Sequence, residues 1–452
     1  MSEKVSCYWL KDLEEIIMVK ENISEGIYTP IRATILIFLG LVILLATGCT
    51  PLHKGVIPTT QAAPVYDQLY PYYVEVCAVS QIRPKFAEYG GSGGHAVMYL
   101  KGACRDTQAE YPTIEVCDAG TVDLSDPETG VGISVNKLFG NVNWIAVPGK
   151  RLFYRGNLEE DQLLDEAHAR ATIKVVQDLK IFKGVKTREY YEESVPEDES
   201  EDEFIYRVAS DTLATDFAIN FGRTIFCSRL PVTRGMMGKI VENLNEQNRK
   251  YVRGETEYKW SGYSDNCSHV LHNSLAAAGV WSFKSVRTYK LKQFFNLSIP
   301  ANETINLAHL STKYPIEDFY KIYRDDVKRK TLLEENWLPT QPGALFQTIG
   351  VHQKNDLYDT GVSIMVVQWP LLKQKSRKIK AIFEDPRYTT DLKANLSSFE
   401  ERYEEILEER PDDWDNVAGK NAYKKARKVY YEYIEQQLQD VNEKLSLLGQ
   451  MR

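Results

Sequence analysis

Short apolar runs, β-branched or aromatic, fill the first third of the chain. "YYVEVCAVS" (72–80), "HAVMYLKG" (95–102) and "TIEVCDAG" (113–120) are bounded by Gly, Pro and polar residues and predict strands. "GVGISV" and "NVNWIAVPG" carry the same pattern to residue 149. From Asn157 the spacing becomes helical, as in "LEEDQLLDEAHARATIKVVQDLK", and more helix is predicted over 208–248. Between them the acidic run "EESVPEDESEDE" (192–203) reads as a solvated loop. Near the end, Leu392, Leu396, Phe399, Tyr403 and Ile406 recur at steps of four and three, and Ile434, Leu438, Val441, Leu445 and Leu448 repeat the pattern after "RPDDWDN". This predicts a helical hairpin over about 388–448, broken at Pro411. The tyrosines of "KVYYEYIEQQL" (428–438) fit helix packing better than a partner-binding stripe. The fold class is therefore α+β. A catalytic-looking domain spans 69–350 with a helical insertion at about 157–250, and a mostly helical region follows over 351–452.

One stretch departs from this soluble pattern. Residues 33–48, "ATILIFLGLVILLATG", are uncharged, with Arg32 before them and Cys49 after. About 16 apolar residues is short of the roughly 20 that span a bilayer, but it suits the hydrophobic region of an export signal. The ending "LLATGC" resembles the lipobox of bacterial lipoproteins, in which the cysteine, here Cys49, becomes lipidated. The other reading is an uncleaved signal anchor. Either puts everything after Cys49 outside the cytoplasm, with residues 49–68, rich in Pro, Thr and Ala, as a tether. The formal charge of −8, without a clustered basic face, argues against nucleic acid as a partner.

That compartment changes the cysteine arithmetic. With Cys7 in the leader and Cys49 lipidated, Cys77, Cys104, Cys117, Cys227 and Cys267 remain. An odd number in an oxidising environment predicts two bridges and one free thiol, with the pairing open.

Cys267 is the thiol with a chemical setting. In "YSDNCSHVLHNSLAAAGVW" (263–281), Asp265 and Asn266 are strong N-cap types and Gly279 is a terminator, so Cys267 opens a helix. The orphan N–H groups and positive dipole end of a first turn stabilise a thiolate. A base must come from elsewhere, because His269 and His272 lie about 200° and about 140° around the helix from Cys267. His95, following "YGGSGG" at a strand start, is the best candidate. If strands 95–100 and 113–118 paired with Leu100 opposite Thr113, Asp118 would face His95 and orient it. Zinc on Cys267, His269 and His272 is the competing use; it fails because Cys267 faces away from the two histidines and a fourth ligand is missing. No metal and no cofactor is therefore expected.

"GGHAVMYL…SDNCSHVL" resembles the circularly permuted papain-like hydrolases, relatives of the NlpC/P60 peptidases and the lecithin retinol acyltransferases. These carry a strand-initial histidine ahead of an "NC" that opens a helix; bacterial periplasmic domains with an "FGH…NC" pattern are similar too. The resemblance covers about 30 residues within a domain of about 280. It implies a permuted papain-like fold, Cys267 as nucleophile and His95 as base, with a thioester intermediate. The Cys267 N–H would bind the oxyanion, and Trp260, Tyr263 and Asn266 would line the substrate groove. The implied substrates are peptide amides, including peptidoglycan stems, and then lipid esters, with the membrane as the first partner. The opposing class is a non-catalytic envelope scaffold whose C-terminal helices contact another envelope protein.

Overall fold

The computed structural model describes residues 48–51, 63–79, 94–124, 126, 128–147, 149, 161–188, 225–286, 293–349, 352, 354–356, 365–368, 374–410 and 421–451. The apolar segment 33–47, all of "YGGSGG" but its last glycine, the acidic run 192–203 and the turn after Pro411 lie outside these residues, and Cys49 is described in its backbone alone.

In chain order the strands are β1 Gly48–Pro51, β2 Tyr73–Val79, β3 His95–Lys101, β4 Ala103–Arg105, β5 Ile114–Val116, β6 Gly132–Ser134, β7 Ile145–Val147, β8 Ile225–Pro231, β9 Leu345–Ile349 and β10 Met365–Gln368. The helices are α1 Ala63–Leu69, α2 Glu166–Asp178, α3 Arg234–Val252, α4 Cys267–Ala277, α5 Pro300–Lys313, α6 Phe319–Arg324, α7 Asp326–Glu335, α8 Gln374–Phe383, α9 Leu392–Glu408 and α10 Asn421–Gln450. Six strands form one antiparallel sheet in the order β7-β6-β3-β2-β8-β9. The fold is mixed α+β.

β2 and β3 are buried along their whole length, which is why their sequences are apolar at nearly every position. One face of the sheet is covered by α5: Ser228 Oγ donates to Thr304 O at 3.2 Å, and Ala78, Phe226 and Phe346 share a cluster with Ala301, Ile305 and Ala308. The other face carries a buried charge pair. Glu75 accepts from Arg229 Nε at 2.8 Å and from Gln347 Nε2 at 3.0 Å, and the Arg229 guanidinium lies 4.7 Å from the Tyr66 ring centre. Burial opposes the Arg229 charge, but Glu75 and the two tyrosines outweigh it and keep the group protonated. Beside this pair, Cys77 and Cys227 are register partners on β2 and β8 and form a disulfide. Cys104–Cys117 closes the β4–β5 hairpin.

Three expectations change. β8 lies inside the stretch expected to be helical, because "IFCSRLP" is a β-forming run and the helical pattern begins only after Pro231, where Thr233 caps α3. The end of the expected tether is helix α1; its Tyr66 is fully buried and donates to Gly343 O at 2.8 Å, which overrides a composition suited to a linker. The C-terminal hairpin forms with the expected apolar positions of α9 buried, but it is no appendage. Asn395 Oδ1 accepts from Gly343 N at 2.8 Å, Tyr430 donates to Ile316 O at 2.6 Å, and Leu396, Phe399 and Ile434 belong to the same core as β2 and β3. The tyrosine stripe thus serves packing. No helix among the described residues is long and apolar enough to cross a membrane.

Removing one partner of the central charge pair leaves the other buried and uncompensated. Arg229→Met is expected to lower the unfolding free energy by about 3–5 kcal/mol, measured by urea denaturation, with Arg229→Met/Glu75→Leu recovering much of the loss.

Candidate active site

The start of α4 is built by Asn266. Its backbone is extended (φ −133°, ψ −172°) and its Oδ1 accepts from Ser268 N at 3.0 Å and His269 N at 3.4 Å, the N-cap arrangement that the sequence predicted. Its Nδ2 donates to Gly262 O at 2.9 Å and to Ser298 O at 2.8 Å. A tight turn precedes it, with Ser261 and Asp265 exchanging backbone bonds and Ser298 Oγ donating to Tyr263 O. At the other end Gly279 adopts φ +79°, where a Cβ would strike Thr331, and Lys328 Nζ donates to Gly279 O at 2.9 Å and to Val280 O. The helix is pinned at both ends. Cys267 is its first residue, buried, and among the described cysteines it is the free one.

His95 opens β3, and Val79 of β2 is its register partner. Its Nε2 lies 3.1 Å from Ser134 Oγ on β6. Continuing the β3–β6 register (Met98 with Ile133, Tyr99 with Gly132) puts Ser134 beside Val97 and Asn136 beside His95. Asn136 is buried; its Oδ1 accepts from Leu138 N, and its Nδ2 has no partner among the described residues. Ser134 and Asn136 were missed. The signal was present in "VGISVN", where polar residues alternate with apolar ones in a strand that is otherwise core.

The pairing behind the choice of Asp118 does not form. β5 pairs with β4, not with β3, because Gly102 (φ +95°) turns the chain back directly after β3. Asp118 is exposed, and its Oδ1 accepts from Gly120 N at 3.1 Å within its own turn. The neighbour of the His95 ring is Ser134.

Cys267 and His95 share one end of the sheet. α5 passes Ser228 at Thr304, and its C-terminal end bonds to Thr340, shortly before β9, whose Leu345 pairs with Arg229. The N-terminal end of α5 therefore points to the edge where β3 begins. Ser298, just ahead of it, holds Asn266, and α4 itself packs on β3. Trp260 is partly exposed and Tyr263 half-buried in the turn leading to Asn266.

Neither downstream histidine is directed at a metal. His269 Nδ1 lies 3.0 Å from Asn266 Oδ1, and its Nε2 accepts from Gln293 Nε2 at 3.2 Å. Burial, reinforced by His272, lowers its pKa to about 4, so the ring is neutral. His272 stacks on Trp281, with Nδ1 on Glu303 Oε1 and Nε2 2.9 Å from Ser282 O. A potential ligand cluster among the described residues is Glu75 with Cys77 and Cys227, and the last two are disulfide-bonded. Comparison with protein-family models, with curated proteins and with solved structures returns no match.

Two outcomes follow from this site. Asn266→Ala is expected to destabilise the protein by about 2–4 kcal/mol, from the lost cap and two orphaned carbonyls, whereas Asn266→Asp keeps the acceptor and loses less; thermal unfolding distinguishes them. His269 binds a proton near pH 6.5 when unfolded and only near 4 when folded. Its contribution is thus complete above pH 6.5 and lost as pH falls from 6.5 to 4, by about 3 kcal/mol at most. A stability–pH series should show that loss reduced in His269→Gln.

Proposed function

We propose that the chain is a membrane-tethered thiol hydrolase or acyltransferase of the bacterial cell envelope, with a permuted papain-like domain, Cys267 as nucleophile and His95 as base. The observation that carries this reading is the position of the free thiol: Cys267 stands at the capped start of α4, at the end of the sheet where His95 opens β3 with its ring against Ser134. Ser134 takes the orienting role first assigned to Asp118, with Asn136 beside it. The two disulfides support an oxidising compartment, and with it the reading of 33–48 as an export segment and of Cys49 or an anchor as the tether. The location that fits is the periplasmic face of the outer membrane.

In this mechanism the Cys267 thiol gives its proton to His95 Nδ1, the nitrogen other than the one facing Ser134, and the sulfur attacks a carbonyl carbon. Asn266 holds the N–H groups of Ser268 and His269, so the Cys267 N–H is the donor for the oxyanion. Collapse of the tetrahedral adduct expels an amine or alcohol, which takes the proton from His95 and leaves a thioester. Water or an acceptor hydroxyl or amine then attacks, giving its proton to His95, and collapse returns the thiol. Peptide amides, including peptidoglycan stems, are the first substrate class; lipid esters are the second, because the domain would sit beside a bilayer. A second reading, a non-catalytic envelope scaffold, is favoured by one observation: His95 and Cys267 are both buried.

The pH dependence of Cys267 alkylation, followed by mass spectrometry in the intact chain, separates the two. The enzyme reading expects reactivity well below the ordinary thiol pKa of about 8.5, shifted upward in His95→Ala, shifted less in Ser134→Ala and unchanged in Asp118→Ala. A slow thiol indifferent to His95 would sink the reading.

A further inference from the structure

Helix α8, "QKSRKIKAIF", divides sharply into two faces. Ile379, Ile382 and Phe383 are buried in the cluster that includes α5, while Arg377, Lys378 and Lys380 are exposed. The neighbouring turns of α5 add Lys313, exposed, and His309, half-buried. These cations are close enough to oppose one another: the His309 pKa is lowered by burial and then by Lys378 and Lys313. The acids near this face are engaged elsewhere or singly. Glu384 meets Lys380 at 3.5 Å, Asp385 holds Arg387 at 2.7 Å, and Glu303 is turned inward to His272. In a chain of net charge −8 this is a local reversal of sign.

The position of the helix gives the patch a partner. β1 pairs with β10, with Gly48 opposite Gln368 and Cys49 opposite Val367. The side chain of that same Gln368 caps α8, its Oε1 accepting from Lys375 N at 2.9 Å and Ser376 N at 3.2 Å. The residue that ends the apolar segment therefore pairs with the residue whose side chain holds the first turn of the basic helix.

We infer that the basic face of α8, with Lys313 of α5, docks on the anionic headgroups of the membrane that holds the chain at residues 33–49. This rests on the tether reading given above and adds a contact surface to it. The anchor alone fixes one point of the chain, and a basic patch beside it supplies a second, electrostatic attachment to anionic lipid. The tether also makes that attachment intramolecular, so that it forms at a high effective concentration. The domain would then lie on the bilayer in one orientation, with α8 down.

The test uses the full chain in vesicles of phosphatidylcholine alone or mixed with phosphatidylglycerol, with flotation scored first and lysine acetylation then mapped by mass spectrometry. Flotation is expected on both vesicles. Acetylation of Lys378, Lys380 and Lys313 is expected to slow at least about fivefold on the anionic vesicles and to recover in high salt, with exposed Lys330 and Lys428 unaffected. In Arg377→Glu/Lys378→Glu the protection of Lys380 should disappear while flotation persists. Flotation with equal acetylation on both vesicles overturns the docking surface and leaves the tether. Protection by peptidoglycan fragments but not by anionic lipid also overturns it. Failure to float on either vesicle overturns the tether and the docking surface together.

Discussion

Each hydrogen-bonding position of the Asn266 amide is engaged: the oxygen caps α4 at Ser268 and His269, and the nitrogen donates to Gly262 and Ser298. One side chain thus starts the helix that carries Cys267, closes the turn before it and ties both to the approach of α5. Because α5 is fixed on the sheet through Ser228 and Thr304, the sulfur position follows from the sheet by a short chain of bonds. Ser or Thr would cap as well as Asn but lacks the two donors, and Asp lacks them too. The requirement at 266 is for an amide, which is more specific than helix capping demands.

His95 is held by independent means. β3 lies inside the sheet between β2 and β6, so its backbone direction is set on both sides, and Ser134 approaches the ring from the next strand. The disulfide between β2 and β8 and the Glu75–Arg229 pair lock the centre of that sheet. A thiol on a helix pinned at both ends and an imidazole on a central strand are groups on rigid elements. Sites built this way hold geometry better than sites on loops.

Local patterns were legible where one element decides its own fate. The strand character of 73–79 and 95–101, the capped start at Asn266 and the buried stripe of α9 follow from residue type and period alone. What failed depended on partners. Asp118 was chosen on a register between two strands that never meet, and the deciding residue, Gly102, is a single position whose Cβ would collide with Tyr72. β8 is hard to separate because its seven residues adjoin a long helix, and its pairing with β2 and β9 fixes its β-forming run as a strand. Ser134 looked like an ordinary polar residue in a short strand, and nothing local says that a histidine lies diagonally across from it.

The histidines of "CSHVLH" show how one spacing supports two different environments. His269 is enclosed with an amide on each ring nitrogen, and burial drives it neutral. His272, one turn further, has oxygens at both nitrogens, the Glu303 carboxylate and the Ser282 carbonyl. After burial, His272 is the second influence that lowers the His269 pKa, so the two rings are coupled through the helix they share. A metal would need both rings unprotonated at a nitrogen and turned to one point; Asn266 holds the first and Glu303 the second in different directions. The motif is metal-like in spacing only, because each nitrogen already has structural work at the two ends of α4's first turns.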